Sequence, residues 1–255
     1  MNAVKEKLKT GQVSLGGWIQ IGHPAIAEIM AQAGFDWIAL DNEHGIIDFE
    51  TGMNLFNAMR GTNTLPMVRV QENSEIIIRR WCDAGASGII VPMVNTREQA
   101  IAAVAAAKYP PMGRRGFGYC RANNYGRFFD NHTQDHNDDV LVIVQIEHID
   151  AIRNIDDILT VEGVDGAFIG PYDLSGSMGL TGQIYHPEVI AASDIMLKAC
   201  KKYGKAPGIH VVPIEPERIK NFISEGFTFI AASIDSVFIR FGSEVILNAG
   251  DNFRI

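Results

Sequence analysis

Acidic, basic and amide side chains stand at the ends of several apolar runs in this sequence, where the parallel strands of a barrel present their chemistry. Glu147 ends the run VLVIVQIE, and Asp173 follows the run VEGVDGAFIG. Two carboxylates at neighbouring strand ends suit a hard divalent cation such as Mg²⁺ or Mn²⁺, which prefers oxygen ligands and keeps positions for water or substrate. The alternative is that each acid only caps the helix that follows it. The other polar groups of the same rim favour the metal.

Two further runs end in groups that suit proton transfer and anion stabilisation. The second run is followed by Asp41, Glu43 and His44, and the third contains Arg69 close to its end. A histidine beside a carboxylate is the usual general base, whereas an arginine fork suits a carboxylate or a developing enolate oxygen. The alternatives are a surface-loop histidine and a salt bridge from Arg69 to Glu43 or Glu72.

The lysines lead to a negative prediction. All of them fall in helix-like or loop segments, and none lies inside a predicted strand, where barrel enzymes that form a Schiff base usually place theirs. Imine catalysis is therefore disfavoured. A metal is left as the group that withdraws electrons from a carbonyl.

Alternating strand-like and helix-like segments must position these groups. Four times a helix-like stretch ends in a glycine and a β-branched run begins two or three residues later, at 31–40, 81–91, 161–170 and 224–233. Four more strand candidates lie between them, at 13–20, 65–70, 140–147 and 207–212. Eight strands without a glycine-rich dinucleotide fingerprint after the first predict a single (β/α)₈ TIM barrel over residues 1–255, rather than a doubly wound sheet.

Local signals place two helices and leave one segment irregular. A Thr96–Gln99 capping box opens one helix, and Pro187 stands at the predicted first position of another. From Lys108 to Asp139 no core periodicity is visible, and a loop of this length is usually functional or an interface. Its aromatic residues make a disordered linker the weaker alternative; they are Phe117, Tyr119, Tyr125, Phe128 and Phe129.

Composition bounds the class of protein. Apolar residues make up 47% and charged residues 20% of the 255, which is typical of a soluble globular chain. A formal net charge of −8 disfavours a general nucleic-acid or anionic-membrane surface, and no apolar run approaches the roughly 20 residues of a membrane helix. Three cysteines without a CxxC pair favour a reducing compartment, so we expect a cytoplasmic protein.

Five motifs resemble the HpcH/HpaI family of class II, metal-dependent 2-oxo-acid aldolases, from about residue 16 to residue 247. They are LDNEHG (40–45), PMVRV (66–70), YPPMGRRGFG (109–118), VQIE (144–147) and FIGPYDLSGSMG (168–179). VQIE followed by G-P-x-D-L-S at this spacing is specific, whereas a lone LDxEH is weak. The resemblance implies a TIM barrel that uses Mg²⁺, Mn²⁺ or Co²⁺ and forms trimers or hexamers, often with exchange of the last helix.

The resemblance also implies roles in catalysis. Glu147 and Asp173 would bind the metal, and His44 would accept the proton. Arg69 would stabilise the enolate and the transition state. Asp83 matches an acid that raises the basicity of the histidine, in some members from a neighbouring subunit. The implied reaction is reversible cleavage of a 4-hydroxy-2-oxo acid to pyruvate and an aldehyde.

Substrate contacts follow in the same way, with one departure. Gln145 would contact the substrate, and the backbone around Tyr172 and Asp173, at a helix start, would receive its carboxylate. Tyr172 stands where the aldolases commonly have a small residue, so we expect a crowded or reshaped pocket. Two alternatives stay open: carbon–carbon condensation or cleavage with an acyl-CoA, and a catalytically silent binding barrel.

Overall fold

The computed structural model describes residues 2–250, and its centre is a closed barrel of eight parallel strands paired in chain order. The strands are β1 Ser14–Ile19, β2 Trp37–Asp41, β3 Leu65–Arg69, β4 Gly88–Val91, β5 Leu141–Ile146, β6 Gly166–Ile169, β7 Ala206–Val211 and β8 Phe229–Ile234. Each predicted strand is present, and β8 pairs with β1 to close the barrel. The (β/α)₈ prediction is therefore confirmed.

Twelve α-helices surround the barrel in the described range. They are α1 Ala3–Lys9, α2 Pro24–Gln32, α3 Phe49–Ala58, α4 Glu75–Ala84, α5 Arg97–Ala107, α6 Phe129–Asp139, α7 Ile149–Arg153, α8 Ile155–Leu159, α9 Pro171–Ser177, α10 Pro187–Tyr203, α11 Pro216–Glu225 and α12 Asp235–Gly250. The Thr96–Gln99 capping box and the proline at the start of α10 are both confirmed. Between residues 2 and 250, no helix has the length and apolar content needed to cross a membrane.

The barrel interior is a packed core, not a channel. Trp37 and Phe229 stack with their ring centroids 4.2 Å apart, and Trp18 meets Phe168 edge-on at 5.9 Å. The strand residues on both faces are buried because helices cover the outside and aromatic rings fill the inside. Polar groups can therefore reach solvent only beyond the ends of the strands.

The amino-terminal helix helps to close one end of the barrel. The ammonium of Lys5 in α1 lies 3.1 Å from the carboxylate of Asp165 and donates to the carbonyl of Val140, just before β5. Every lysine lies in a helix or a connecting segment, as predicted. The chemistry expected at the opposite, carboxyl end thus has no lysine on a strand.

The expectation of an irregular segment from Lys108 to Asp139 is wrong for its last third. Residues 129–139 form α6, although this helix buries only His136. Tertiary hydrogen bonds take the place of an apolar stripe: the Asn137 side chain exchanges two of them with the backbone of Tyr109, at 2.7 and 2.9 Å. A helix that is held by hydrogen bonds instead of an apolar face cannot be predicted from hydrophobic periodicity.

The extent of the domain and the exchange of the last helix stay predictions. Residue 1 and residues 251–255 lie outside the described residues. Within them, α12 has an exposed surface from Ile239 onward. Its exposed large apolar side chains are Ile239, Phe241, Val245, Ile246 and Leu247.

Two helix glycines allow a test of core packing. A methyl group on Gly52 in α3 would lie 2.3 Å from the ring of Trp81, whereas one on Gly176 in α9 would meet nothing within 4 Å. We expect Gly52→Ala to destabilise the protein by about 1–3 kcal/mol through overpacking. The control Gly176→Ala should keep or raise stability, by up to about 1 kcal/mol, because alanine is the better helix former. Urea denaturation measures both; a stabilised Gly52→Ala protein would contradict the packing.

Candidate active site

An ion pair between neighbouring strands organises the carboxyl end of the barrel. The register of β2 and β3 places Asp41 beside Arg69. Arg69 donates two hydrogen bonds to the Asp41 carboxylate, from Nε at 3.0 Å and from Nη2 at 2.9 Å. Burial by itself would raise the pKa of Asp41, but the hydrogen bonds and the charge of Arg69 outweigh it and lower that pKa. Asp41 is therefore a charged anchor for the guanidinium.

The same carboxylate holds two loops. The Gln20 side chain donates to Asp41 Oδ2 at 2.8 Å, and the backbone N–H of His44 donates to Oδ1 at 3.2 Å. The turn is tight, because a Cβ on Gly45 would lie 2.1 Å from the Asp41 carbonyl oxygen. His44 is thereby carried on the rim with an exposed side chain. Asp41 therefore contacts His44 through the backbone N–H of the histidine.

A second acid completes the setting of Arg69. Its Nη1 lies 3.2 Å from Glu43 Oε2, and its guanidinium lies over the ring of Trp18, 4.5 Å from the ring centre. Burial raises the pKa of Glu43 to about 7, with Glu147 and Asp41 adding to the rise and Arg69 and His44 opposing it. Of the two salt bridges that the sequence allows for Arg69, to Glu43 or to Glu72, the structure shows the one to Glu43 beside the geometry expected of a catalytic arginine. The salt bridge and a catalytic role of Arg69 are compatible, because the contacts with Asp41 and Glu43 leave some N–H groups of the guanidinium unused.

The Glu147 carboxylate is buried and its oxygens are held by fixed donors. Oε1 accepts from the backbone N–H of Met93 at 2.7 Å, and Oε2 accepts from the Gln145 amide. Met93 has a φ of 53°, uncommon for a residue with a side chain. Burial raises the pKa of Glu147, and the nearby charge of Asp173 raises it further. The two predicted metal-binding acids are thus neighbours electrostatically.

These donors fit a hard divalent cation. Glu147 and Asp173 are oxygen donors, and Gln145 Oε1 is buried without a hydrogen-bond partner. Within residues 2–250 there is no cluster of three or more His, Cys, Asp or Glu side chains that could enclose a metal. A cation on two carboxylates would therefore keep most of its coordination positions for water or substrate.

Tyr172 and Asp173 occupy the first turn of α9, as predicted. The Tyr172 side chain is 61% exposed and its carbonyl accepts from the Ser175 hydroxyl at 2.6 Å. The tyrosine ring therefore stands at the open rim of the barrel. It does not fill the barrel interior.

Asp83 is not brought to His44 within the chain. It lies near the carboxyl end of α4, and its Oδ1 accepts from Arg115 Nη2 at 2.7 Å. Arg115 is fully buried, with its guanidinium 4.6 Å from the ring centre of Tyr109. Any action of Asp83 on His44 would have to come from another copy of the chain, so its role stays a prediction.

One polar residue of the rim was missed. His210, near the end of β7, has its ring 5.5 Å from that of Trp18, and its Nε2 is buried without a partner. Burial lowers its pKa to about 4, helped by the charge of Arg69, so the ring is neutral at pH 7. The sequence does indicate this residue, because the run PGIHVV places His210 close to the end of a strand, and Arg69 was identified by the same criterion.

Comparisons with known proteins cover nearly the whole barrel. Residues 14–240 match the profile of the family described as HpcH/HpaI aldolase/citrate lyase. A 4-hydroxy-2-oxo-heptane-1,7-dioate aldolase of Salmonella paratyphi C is 38% identical over 247 residues, 96% of this chain and 93% of that protein.

Solved structures agree with the sequence comparison. An HpcH/HpaI aldolase/citrate lyase family protein from Burkholderia cenocepacia has a TM-score of 0.93 at 30% identity, with 98% of this chain and 99% of that chain covered. An HpcH/HpaI aldolase from Desulfitobacterium hafniense has a TM-score of 0.89 at 28% identity, with 98% and 97% covered.

Glu43 gives a pH-dependent prediction for the metal-free protein. Its folded pKa of about 7 lies above the ordinary value of 4.5, so its contribution to stability is present below pH 4.5 and lost as pH rises through 7. We expect the unfolding free energy of wild type relative to Glu43→Gln to fall between pH 5 and pH 8, by about 1 kcal/mol after solvent screening. Urea denaturation in chelator measures it, with Glu188→Gln, an exposed glutamate of α10, as the control. A difference that does not change with pH would refute the assignment.

Proposed function

The chain belongs to the HpcH/HpaI aldolase/citrate lyase family of carbon–carbon lyases, and we propose that it is a metal-dependent aldolase acting on 4-hydroxy-2-oxo acids. The observation that carries this proposal is the juxtaposition, at the carboxyl end of the barrel, of the paired acids Glu147 and Asp173 with the anchored Arg69. The relative from Salmonella paratyphi C is named for a seven-carbon dicarboxylate of this class, 4-hydroxy-2-oxo-heptane-1,7-dioate. We propose the same class of substrate here.

Glu147 and Asp173 would hold the divalent metal, with Mg²⁺, Mn²⁺ and Co²⁺ as the candidate ions. Once bound, such an ion polarises a carbonyl oxygen as a Lewis acid. Met93 and Gln145 fix the position of the Glu147 carboxylate by hydrogen bonds. Because this carboxylate is buried, water solvates its negative charge poorly, which favours binding of a cation. The unpartnered Oε1 of Gln145 is the group that we assign to a substrate or metal-bound-water contact.

Arg69 is proposed to stabilise the enolate oxygen. In the cleavage direction the bond between carbons 3 and 4 breaks, its electron pair passes into the enolate of pyruvate, and the aldehyde leaves. A guanidinium that is already oriented by Asp41 and Glu43 stabilises that oxygen without reorganising during the reaction. Asp41 acts through Arg69 and through the loop of His44, so its proposed role is positioning.

His44 is proposed to take the proton from the 4-hydroxyl group. Its exposed ring stands on the rim beside Glu43, and its backbone is held by Asp41. The enolate carbon is then protonated to give pyruvate. Asp83 would act on His44 only across a subunit boundary, which makes this part of the proposal dependent on assembly.

The substrate carboxylate is assigned to the start of α9. Tyr172 and Asp173 lie in its first turn, where backbone N–H groups without helical partners can receive an anion. The exposed ring of Tyr172 would then lie beside the distal part of the substrate.

We propose a homo-oligomer in a reducing compartment, with the cytoplasm as the expected one. The long exposed row of apolar side chains on α12 supports assembly as trimers or hexamers, because a surface of this kind is rarely left uncovered. The cysteines of the described residues are free, which agrees with reducing conditions.

Removal of the metal should abolish pyruvate release from 4-hydroxy-2-oxo-heptane-1,7-dioate, and Mg²⁺, Mn²⁺ or Co²⁺ should restore it. Glu147→Gln and Asp173→Asn should each lose metal binding in titration calorimetry while keeping the barrel circular dichroism spectrum. Asp157→Asn, an exposed acid of α8, serves as the matched control. Full activity in EDTA would rule out the metal. Thiol release from acetyl-CoA and oxaloacetate, with no pyruvate release, would favour the acyl-CoA alternative instead.

The Arg69→Lys variant tests the role of the guanidinium group independently of the metal. Lysine keeps the charge but cannot make the two-point contact with Asp41. We expect kcat to fall about 100-fold, the usual effect of removing one preorganised donor to an oxyanion, with metal affinity within a fewfold of wild type. Arg153→Lys, on the exposed side of α7, should be unaffected. An Arg69→Lys protein with wild-type kcat would contradict the role of the fork.

A further inference from the structure

A second cavity lies at the opposite end of the barrel from the candidate active site. It has a volume of about 550 Å³ and reaches the amino ends of three strands, touching Thr64 before β3, Ser87 before β4 and Val140 before β5. This volume is in the range of small-molecule sites, roughly 300–1,000 Å³. None of the residues assigned to the proposed reaction lines this cavity.

Arg121 is fixed in the wall of this cavity. Its Nε donates to the Asn57 side chain at 2.9 Å and its Nη1 donates to the Ala84 carbonyl at 3.1 Å. The backbone makes room for it, because a Cβ on Gly85, whose φ is 109°, would lie 1.8 Å from Nη1. The other terminal nitrogen, Nη2, has no partner in the part of the chain that the structure describes. Arg121 thus keeps donors for a ligand.

The loop that carries Arg121 is itself rigidly built. Asn123 is fully buried and its side chain makes three hydrogen bonds inside the loop, to the backbone of Gly118, Cys120 and Gly126, at 2.7–3.1 Å. The direction of Arg121 is therefore set before any ligand arrives, which reduces the entropy cost of binding.

A second guanidinium shares the cavity. Arg60, just after α3, is exposed, and its side chain makes no hydrogen bond or ion pair with residues 2–250. Burial lowers the pKa of Arg121, and the charge of Arg60 lowers it further, whereas no carboxylate opposes the shift. Asp135 and Asp139 do line the cavity, but they belong to the wall formed by α6. Among the residues that the structure describes, neither Arg60 nor Arg121 forms an ion pair with a carboxylate.

We propose that this cavity binds a small organic or inorganic anion through Arg60 and Arg121. Its chemical class is a carboxylate or a phosphate, because both match the planar donor geometry of guanidinium groups. The cavity opens at the base of the barrel, away from Glu147 and Arg69 of the same chain, and the inference does not rest on the proposed reaction.

The test is titration calorimetry of the intact protein with inorganic phosphate and with succinate, at constant ionic strength. We expect saturable binding of at least one probe, and the probe that binds identifies the anionic group. Arg60→Gln should weaken that binding at least tenfold. This variant removes an exposed side chain that makes no hydrogen bond or ion pair with residues 2–250, so it is expected to fold. Arg121→Gln should weaken binding at least as much.

Two controls make the result specific. Arg127→Gln removes an exposed arginine of the same loop that does not line the cavity, and it should bind within twofold of wild type. Arg69→Lys tests for anion binding at the other end of the barrel, because it removes the guanidinium fork there, and the affinity for the probe should stay within twofold of wild type. No saturable binding of either probe, or an Arg60→Gln protein that binds normally, would overturn the proposal.

Discussion

The ion pair between Asp41 and Arg69 is the interaction around which the candidate active site is arranged. It follows from the parallel register of β2 and β3, which places these two residues side by side at the mouth of the barrel. A guanidinium that was free to move would be attracted to the nearby Glu147 carboxylate and would neutralise it. Asp41 and Glu43 retain Arg69, which leaves the Glu147 and Asp173 carboxylates available for the proposed cation.

This arrangement places negative charge where water cannot fully solvate it. Glu43 and Glu147 both have raised pKa values because they are buried near other acids. Buried charges without compensation are destabilising, so the rest of the barrel must supply the stability. Aromatic rings fill the barrel below the charged rim: Trp18 lies against Arg69, and Trp37 and Phe229 stack at the amino ends of β2 and β8.

The two ends of the barrel offer different groups to a ligand. At the carboxyl end Glu147 and Asp173 are the groups proposed to hold a cation. At the amino end the side chains of Arg60 and Arg121, on the wall opposite Asp135 and Asp139, are the groups proposed to bind an anion. The packed interior separates the two, so a ligand at one end cannot touch a ligand at the other.

Much of this molecule could be predicted from its sequence. Buried β-branched runs, glycines after helices and the Thr96–Gln99 box are local patterns, and they were sufficient for the eight strands and the closed barrel. The strand-end rule also found Asp41, Arg69 and Glu147, because parallel strands bring their carboxyl ends to one rim regardless of the details of packing.

Only the tertiary structure decided which partner each polar group has. Asp83 pairs with Arg115, 32 positions away in the chain, and the helix α6 is held by contacts with Tyr109. The burial of His210 Nε2 without a hydrogen-bond partner also results from side chains that are far apart in sequence. The same is true of the cavity that Arg60 and Arg121 share. Strand and helix patterns arise from the short-range covalent geometry of the backbone. The choice of an ion-pair partner depends on distances that exist only after the barrel has closed.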